Sequence, residues 1–252
     1  MESIGERLVW HYVPFTDIPI PLRGLNIITV SNTLLVMIIL WVLLRLAVRR
    51  FAWIPGRAQV LVELLIGAFD SMVESALELK TREANRHYLP LIVSLFVFIL
   101  LSNSVVLLPL PHIEEPTSDL NTTLGLGLMS VLYSVYCGFK AHGVRGHLAE
   151  MCGPMWHTKG GGVAAIAGKL SALFFFPLHV VEDCSRTISI SCRLFGNITG
   201  AAIVLTVITT LTYSVVVPLG LDAFLLVFEA AVQAFVFSML TLMYIAAAMR
   251  EE

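Results

Sequence analysis

The chain has 252 residues, of which 57% are hydrophobic and only 13% are charged, with a formal net charge of −2. Soluble globular domains carry about 25% charged residues, so this composition excludes a soluble protein and predicts an integral membrane protein. No basic arm accompanies the near-neutral charge, so we expect no nucleic-acid partner.

Taken from the N-terminus, the chain alternates between long apolar runs and more polar segments. A transmembrane helix needs about 20 mostly apolar residues. This rule predicts an all-α integral membrane protein with five spans, at residues 25–47, 88–110, 120–140, 165–217 and 222–250. All belong to a single membrane domain, with an outer N-terminal segment at 1–24 and a cytoplasmic loop at 141–163.

The segment 55–86, between the first two spans, predicts a different kind of helix. Apolar residues such as Leu61, Leu65 and Met72 recur there at helical spacing, and acidic residues fall largely between them. A helix with one apolar and one charged face lies on a membrane surface or on a partner. We therefore expect 55–86 to form an amphipathic surface helix.

Basic residues are distributed unevenly between the two sides of the predicted membrane. Lys and Arg concentrate between spans one and two and between spans three and four, whereas the loops PHIEEPTSD and SVVVPLGLD contain none. The positive-inside rule then predicts an outer N-terminus and a cytoplasmic C-terminus. The N-terminus has no transit-like character, which favours a bacterial inner membrane.

The last two predicted helices are longer than a bilayer is thick. The fourth would be on the order of 70 Å long at about 1.5 Å per residue, against a hydrocarbon core of roughly 30 Å. Pro177 and the two glycines Gly196 and Gly200 can bend it. Helices of this length predict strong tilt in the membrane.

Polar side chains within the spans concentrate in these last two helices. They are His179, Glu182, Asp183, Arg186, Arg193, Asn197, Glu229 and Gln233. Such residues are rare in spans and usually functional, and an arginine at mid-span costs about 2.5–3.5 kcal/mol on insertion scales. Glu182 can pair with Arg186 at i,i+4, whereas Arg193 has no acid at i±3 or i±4. Its counter-ion must come from Glu229 on the next helix or from another chain.

The polar residues also divide by depth around Arg193. Glu182 and its neighbours precede it toward the cytoplasm, while Asn197 and Glu229 lie toward the outside. This order predicts two partial hydrophilic routes, one from each face, separated by Arg193. The GxxxG of Gly196 and Gly200 lets another helix approach closely beside the arginine.

Several blocks of the chain resemble, in order and spacing, subunit a of the bacterial F-type ATP synthases. SRTISISCRLFGN and VQAFVFSMLTLMYIAAAM resemble the family's last two helices, and PGRAQVLVELLIGAF resembles its surface helix. The resemblance implies a non-catalytic subunit without a cofactor or metal. It also implies as partners a ring of c subunits, the b-subunit stator stalk, the other synthase subunits and the lipid bilayer.

The resemblance further implies a mechanism. An ion enters by one half-channel, neutralises a carboxylate of the c ring, travels round with the ring and leaves by a second half-channel. A proton is the family's usual ion, and Na⁺ is the alternative. The implied roles are an essential arginine at Arg193, an outer half-channel at Asp119, Asn121, Asn197 and Gln233, and an inner half-channel at Glu182, Asp183 and Arg186. We also assign His179, a polar residue earlier on the same helix, to the inner half-channel.

The chain departs from the family pattern at two positions. Ala202 stands where many relatives have an acid nine residues after the essential arginine, and Leu226 stands where many have His or Glu seven residues before the glutamine. Glu229 lies one turn before Gln233 on the same helix face. We expect Glu229 to replace the missing acid of the outer half-channel.

Two other classes of membrane protein compete with this interpretation. A stand-alone channel or secondary transporter would form its pathway from this chain alone. A haem-binding redox protein would need axial ligands inside the membrane, where only His179 is deeply placed.

Overall fold

A computed structural model describes residues 27–49, 56–77, 86–105, 115–151, 163–212 and 216–249. These residues form six α-helices and no strand: α1 (Ile27–Arg49), α2 (Arg57–Leu77), α3 (Leu89–Ser104), α4 (Leu120–Met151), α5 (Val163–Leu211) and α6 (Val216–Met249). A 3₁₀ turn at Pro116–Ser118 precedes α4. The predicted outer segment 1–24 lies outside the described residues. The predicted all-helical fold is confirmed for the residues that the structure describes.

Four of these helices are long and apolar enough to cross a membrane, which makes the chain a multi-pass membrane protein. The four candidate spans are Thr29–Leu46, Leu120–Gly143, Phe175–Leu211 and Val227–Met249. The apolar helix α3 has 16 residues, about 24 Å at 1.5 Å per residue, which falls short of a hydrocarbon core of roughly 30 Å. The predicted span 88–110 continues past Val105, beyond the described residues, so the count of five stays a prediction.

Helix α4 extends into the segment 141–163, which was expected to be a loop. The helical path changes direction at Gly143, with φ 70° and ψ 166°, and continues to Met151. Glycine reaches this left-handed φ without steric cost because it has no Cβ. Apolar content marks only the part of a helix that lies in a membrane, so the polar helical segment beyond the kink escaped the sequence prediction.

Helix α6 begins at Val216, inside the loop that the sequence predicted at SVVVPLGLD. Pro218 is its third residue. A proline there has no N–H to bond, but the first turn of a helix leaves its N–H groups without intrahelical partners in any case. The proline that indicated a turn is therefore compatible with the start of the helix.

Helix α5 is one helix of 49 residues that passes through Pro177, about 73 Å long at 1.5 Å per residue. Helix α6 has 34 residues and is about 51 Å long by the same measure. Both helices are longer than a bilayer is thick, so we still expect them to be strongly tilted in the membrane.

Two buried clusters hold the helices together. The first joins α2, α3, α4 and α6 through Phe69, Val73, Leu77, Tyr88, Ile92, Cys137, Leu242, Ile245 and Met249. The second joins α3, α5 and α6 through Leu95, Ile99, Ile190, Leu194, Ala234 and Phe237. The second cluster positions the part of α5 that carries Arg193.

Helix α2 packs one face against the other helices and leaves apolar side chains exposed on another. Phe69 and Val73, one turn apart, are buried in the first cluster, whereas Leu61 and Leu64 are exposed. An exposed apolar face of this kind fits the predicted surface helix, whose contact with the membrane stays a prediction.

Candidate functional site

Helices α5 and α6 pack together through the apolar residues next to Arg193 and Gln233. Leu194 follows Arg193, Ala234 follows Gln233, and these two apolar residues belong to the same buried cluster. The short connection between α5 and α6 makes the two helices antiparallel. Arg193 and Gln233 therefore lie in the same part of the helix pair.

The side chain of Arg193 is exposed, whereas Leu194 beside it is buried. Within the described ranges, Arg193 forms no ion pair with any acid, Glu229 included. The sequence left two sources for its counter-ion, Glu229 or another chain. In the described part of the chain Arg193 is not paired with Glu229, so a counter-ion from another chain stays a prediction.

Beside Arg193, α5 presents an open surface. Gly196 and Gly200 lie three and seven residues further along, and a Cβ built on either glycine meets no atom within 4 Å. Small residues in membrane helices let a second helix come close. An open surface of this kind fits the close approach that the GxxxG pattern predicts, and the approaching helix stays a prediction.

On the side of Arg193 away from the α5–α6 connection, three charged side chains form an ion-pair cluster. The guanidinium of Arg186 lies 2.5 Å from Oε1 of Glu182 and 3.5 Å from Oδ1 of Asp183. It also lies over the ring of Tyr244 on α6, 5.4 Å from the ring centroid, within the range of a cation–π contact. The predicted pairing of Glu182 with Arg186 is confirmed.

This cluster opens onto a cleft between α5 and α6 of about 520 Å³. The residues that line it are Leu178, Val181, Glu182, Ser185, Arg186, Ser189 and Tyr244. Two acids and one arginine leave the cluster with a net negative charge, which favours cations. Sequence reasoning missed Ser185, Ser189 and Tyr244 as parts of this cleft, because their proximity depends on how α5 and α6 pack. His179 is half-buried one turn before Glu182.

On the other side of Arg193, toward the α5–α6 connection, the polar residues are more deeply placed. Gln233 is buried, and Asn197 and Glu229 are half-buried. Asn197 lies one turn beyond Arg193 on α5, and Glu229 lies one turn before Gln233 on α6. Because the helices are antiparallel, both lie toward the α5–α6 connection.

Asp119 and Asn121 contact each other at the start of α4. The Oδ1 atom of Asp119 accepts hydrogen bonds from the backbone N–H of Asn121 at 3.0 Å and from its Nδ2 at 3.2 Å. This is the geometry of a helix N-cap, which accounts for Asp119 structurally. The pair predicted from the sequence is thus brought together, but no hydrogen bond or ion pair within the described ranges links it to Glu229 or Gln233.

A buried polar cluster next to this N-cap was missed by sequence reasoning. The hydroxyl of Thr117 donates a hydrogen bond to Oδ1 of Asn103 on α3 at 2.5 Å. The Nδ2 atom of Asn103 and the hydroxyl of Ser102 are buried and have no partner among the described residues. An amide within an apolar span was the available signal, since such groups are costly in a membrane.

Comparison with known proteins identifies the family. A family model described as ATP synthase A chain matches residues 29–246. An ATP synthase subunit a from Sulfurovum sp. (strain NBC37-1) is 35% identical over 83% of this chain and 79% of its own. One from Moorella thermoacetica is 32% identical over 90% and 91%, and one from Aliarcobacter butzleri is 33% identical over 91% and 92%. With this geometry and these matches, the chain belongs to the ATP synthase A chain family.

Proposed function

We propose that this chain is the stationary ion-translocating subunit of the ATP synthase membrane sector, with two offset half-channels separated by Arg193. As a family member it is a non-catalytic subunit of an ATP synthase complex that takes part in ion transport across a membrane. The observation that carries the finer proposal is the exposed side chain of Arg193, which forms no ion pair within the described part of the chain.

In this proposal the counter-ion of Arg193 is a carboxylate on the rotating c ring. A fixed cation favours the ionised form of a nearby carboxylic acid, so it makes the ring carboxylate release its ion. The same charge bars cations from passing directly between the half-channels. The open surface at Gly196 and Gly200 supports the close approach of a ring helix.

The inner half-channel, in this proposal, is the cleft beside Arg186. Its net negative cluster of Glu182, Asp183 and Arg186 attracts a released cation, and Tyr244 forms part of its wall. The exposed position of the Arg186–Glu182 pair, with side chains 29% and 50% accessible, supports contact with water. His179 lies further along the same route.

The outer half-channel is formed by Asn197, Gln233 and Glu229, and Glu229 replaces the acid that many relatives carry elsewhere. Its half-buried position one turn before Gln233 on α6 supports this role. Asp119 and Asn121 belong to the same route in the proposal. The buried donors of Asn103 and Ser102 extend it, since buried polar groups without a protein partner usually bind water.

We place the chain in a bacterial inner membrane, with the N-terminus outside and the C-terminus in the cytoplasm. The c ring and the b-subunit stalk are its proposed direct partners. Each charge that crosses 100 mV releases about 2.3 kcal/mol, and this energy drives the ring. Family membership counts against a stand-alone channel or secondary transporter.

The test is ATP-driven transport in inverted membrane vesicles that contain the whole synthase. Arg193→Ala should abolish coupled transport and ATP synthesis, and Arg193→Lys should not restore them, because an ammonium does not reproduce the planar guanidinium. Arg45→Ala is the matched control, because Arg45 lies over Trp41 at the end of α1, far along the chain from this site. Coupled transport by Arg193→Ala at the level of Arg45→Ala would overturn the proposal.

The same vesicles decide the coupling ion. We expect interior acidification that a protonophore abolishes, which identifies the proton. Uptake of ²²Na⁺ that survives or rises with the protonophore would instead identify Na⁺ as the coupling ion. In that case the outer polar residues bind a hydrated Na⁺ rather than relay protons.

A further inference from the structure

One face of α4 is buried along most of its apolar length. The residues of this face are Thr123, Gly127, Ser130, Ser134 and Cys137. Their alternating spacing of four and three keeps them on one side of the helix. Helix α4 contacts both α5 and α6, so it can fix the position of one relative to the other.

Gly127 marks a close approach of α4 to α5. A Cβ built on it would lie 2.2 Å from Oγ of Ser191 and 3.1 Å from the backbone oxygen of Thr187. Non-bonded carbon atoms pack at about 3.5–4.0 Å, so even an alanine would require atoms of α5 to move. Gly125, two residues earlier on the same helix, has nothing within 4 Å of its Cβ position.

Two hydrogen bonds join the same face of α4 to α6. The hydroxyl of Ser130 donates to Oγ1 of Thr241 at 2.8 Å, and that of Ser134 donates to the backbone oxygen of Tyr244 at 2.7 Å. Together they set the axial position of α6 against α4.

These contacts lie close to the proposed ion path. Ser191 is two residues before Arg193, and the backbone oxygen of Thr187, one turn earlier, lies 3.1 Å from the same Cβ position, so a displacement of α5 at this contact moves the helical backbone that carries the arginine. Thr241 is eight residues after Gln233, about 12 Å along α6. Helix α4 therefore contacts α5 next to Arg193 and α6 beyond Gln233.

We propose that Gly127 is a positioning residue for Arg193: its missing side chain lets α5 seat against α4 at Ser191, which sets how far the guanidinium projects from the helix pair. This inference rests on the proposed function of Arg193. The hydroxyls of Ser130 and Ser134 bond α6 to α4. Because α4 contacts both helices, it sets the axial position of Gln233 on α6 relative to Arg193 on α5.

The test compares four variants of the whole synthase in inverted vesicles: Gly127→Ala, Gly125→Ala, Ser191→Ala and Gly127→Ala/Ser191→Ala. Gly127→Ala should lower ATP-driven transport about tenfold or more per assembled complex, since small misplacements of a functional group can cost up to about a hundredfold. Gly125→Ala and Ser191→Ala should transport at the wild-type rate. The double variant removes the Oγ atom that clashes and should recover most of the loss.

Each outcome decides the inference. Recovery of transport by the double variant supports the inference. If Gly127→Ala alone fails to assemble, restored assembly and transport in the double variant report the same contact between Gly127 and Ser191. Equal transport by Gly127→Ala and Gly125→Ala overturns it, as does a loss that Ser191→Ala does not relieve. A failure of the proposed function is distinguishable, because Arg193→Ala would then transport normally.

Discussion

Arg186 and Arg193 lie on the same helix, two turns apart, and their surroundings are opposite. Arg186 is held by Glu182, Asp183 and the ring of Tyr244. Arg193 has no such partner in the described part of the chain, and open space lies beside it at Gly196 and Gly200. Two arginines on one helix can thus differ in pairing: Arg186 has partners within the chain, and Arg193 has none among the described residues.

The strongest way to break this comparison is to give Arg193 the partner that Arg186 already has. In Ser189→Glu the new acid stands at i−4, the same spacing as Glu182 to Arg186. A local ion pair would then compete with the ring carboxylate, and we expect ATP-driven transport to fall about tenfold or more, since an opposite charge within 4–6 Å shifts an ionisation equilibrium by roughly tenfold to a thousandfold.

Ser189→Gln is the matched control, because it adds the same bulk without the charge. It should retain clearly more transport than Ser189→Glu, measured as the initial rate of vesicle acidification or ²²Na⁺ uptake per assembled complex. An equal loss of transport in the two variants would show that the size of the new side chain, and not its charge, causes the effect. Pairing would then not explain the difference between Arg186 and Arg193.

A second prediction sharpens the difference between the two ends of the site. Glu229→Gln keeps the shape of the half-buried side chain but removes its ability to carry a proton. We expect ATP synthesis and ATP-driven transport to fall by about tenfold, less than the roughly hundredfold or greater contribution of a proton-transfer group at a reacting centre, because Asn197 and Gln233 keep the route polar. Glu229→Asp should recover part of the loss. Wild-type rates in Glu229→Gln would remove Glu229 from the outer route.

The smallest effect is expected at the paired arginine. Glu182→Gln leaves Asp183 beside Arg186, so the guanidinium keeps one partner. Exposed ion pairs contribute about 0–1 kcal/mol, so assembly should be unchanged and transport should fall only about twofold. A complete loss of transport, measured beside Glu63→Gln on α2, would show that Glu182 itself is required for ion exit.

Local features of this site could be predicted from the sequence. The Glu182–Arg186 pair depends on residues four positions apart on one helix, and the isolation of Arg193 could be read from the same spacing. The family's sequence blocks also pointed to the match that the comparisons found. The positions of the membrane helices were predicted from the apolar content and length of each segment.

Features that depend on packing could not be predicted in this way. The contact of Gly127 with Ser191 and the hydrogen bond of Ser130 to Thr241 join residues far apart in the chain. The placement of Tyr244 over Arg186 depends on the same helix pairing. The polar end of α4 was missed because apolar content predicts only the apolar part of a helix. The first turn of α6 was missed because Pro218 indicated a turn.

The lone charge at Arg193 also bears on how the complex is built. On the proposed function, a newly inserted chain carries this cation in the membrane before its partner arrives, at a cost of about 2.5–3.5 kcal/mol on insertion scales. When the ring docks, its carboxylate neutralises this charge. Relief of the cost of the unpaired cation then contributes to the free energy of assembly. A partner that binds only the folded subunit stabilises it by mass action. On the same proposal, Arg193 makes the free subunit less stable than the docked one and so favours the assembled synthase over the isolated chain.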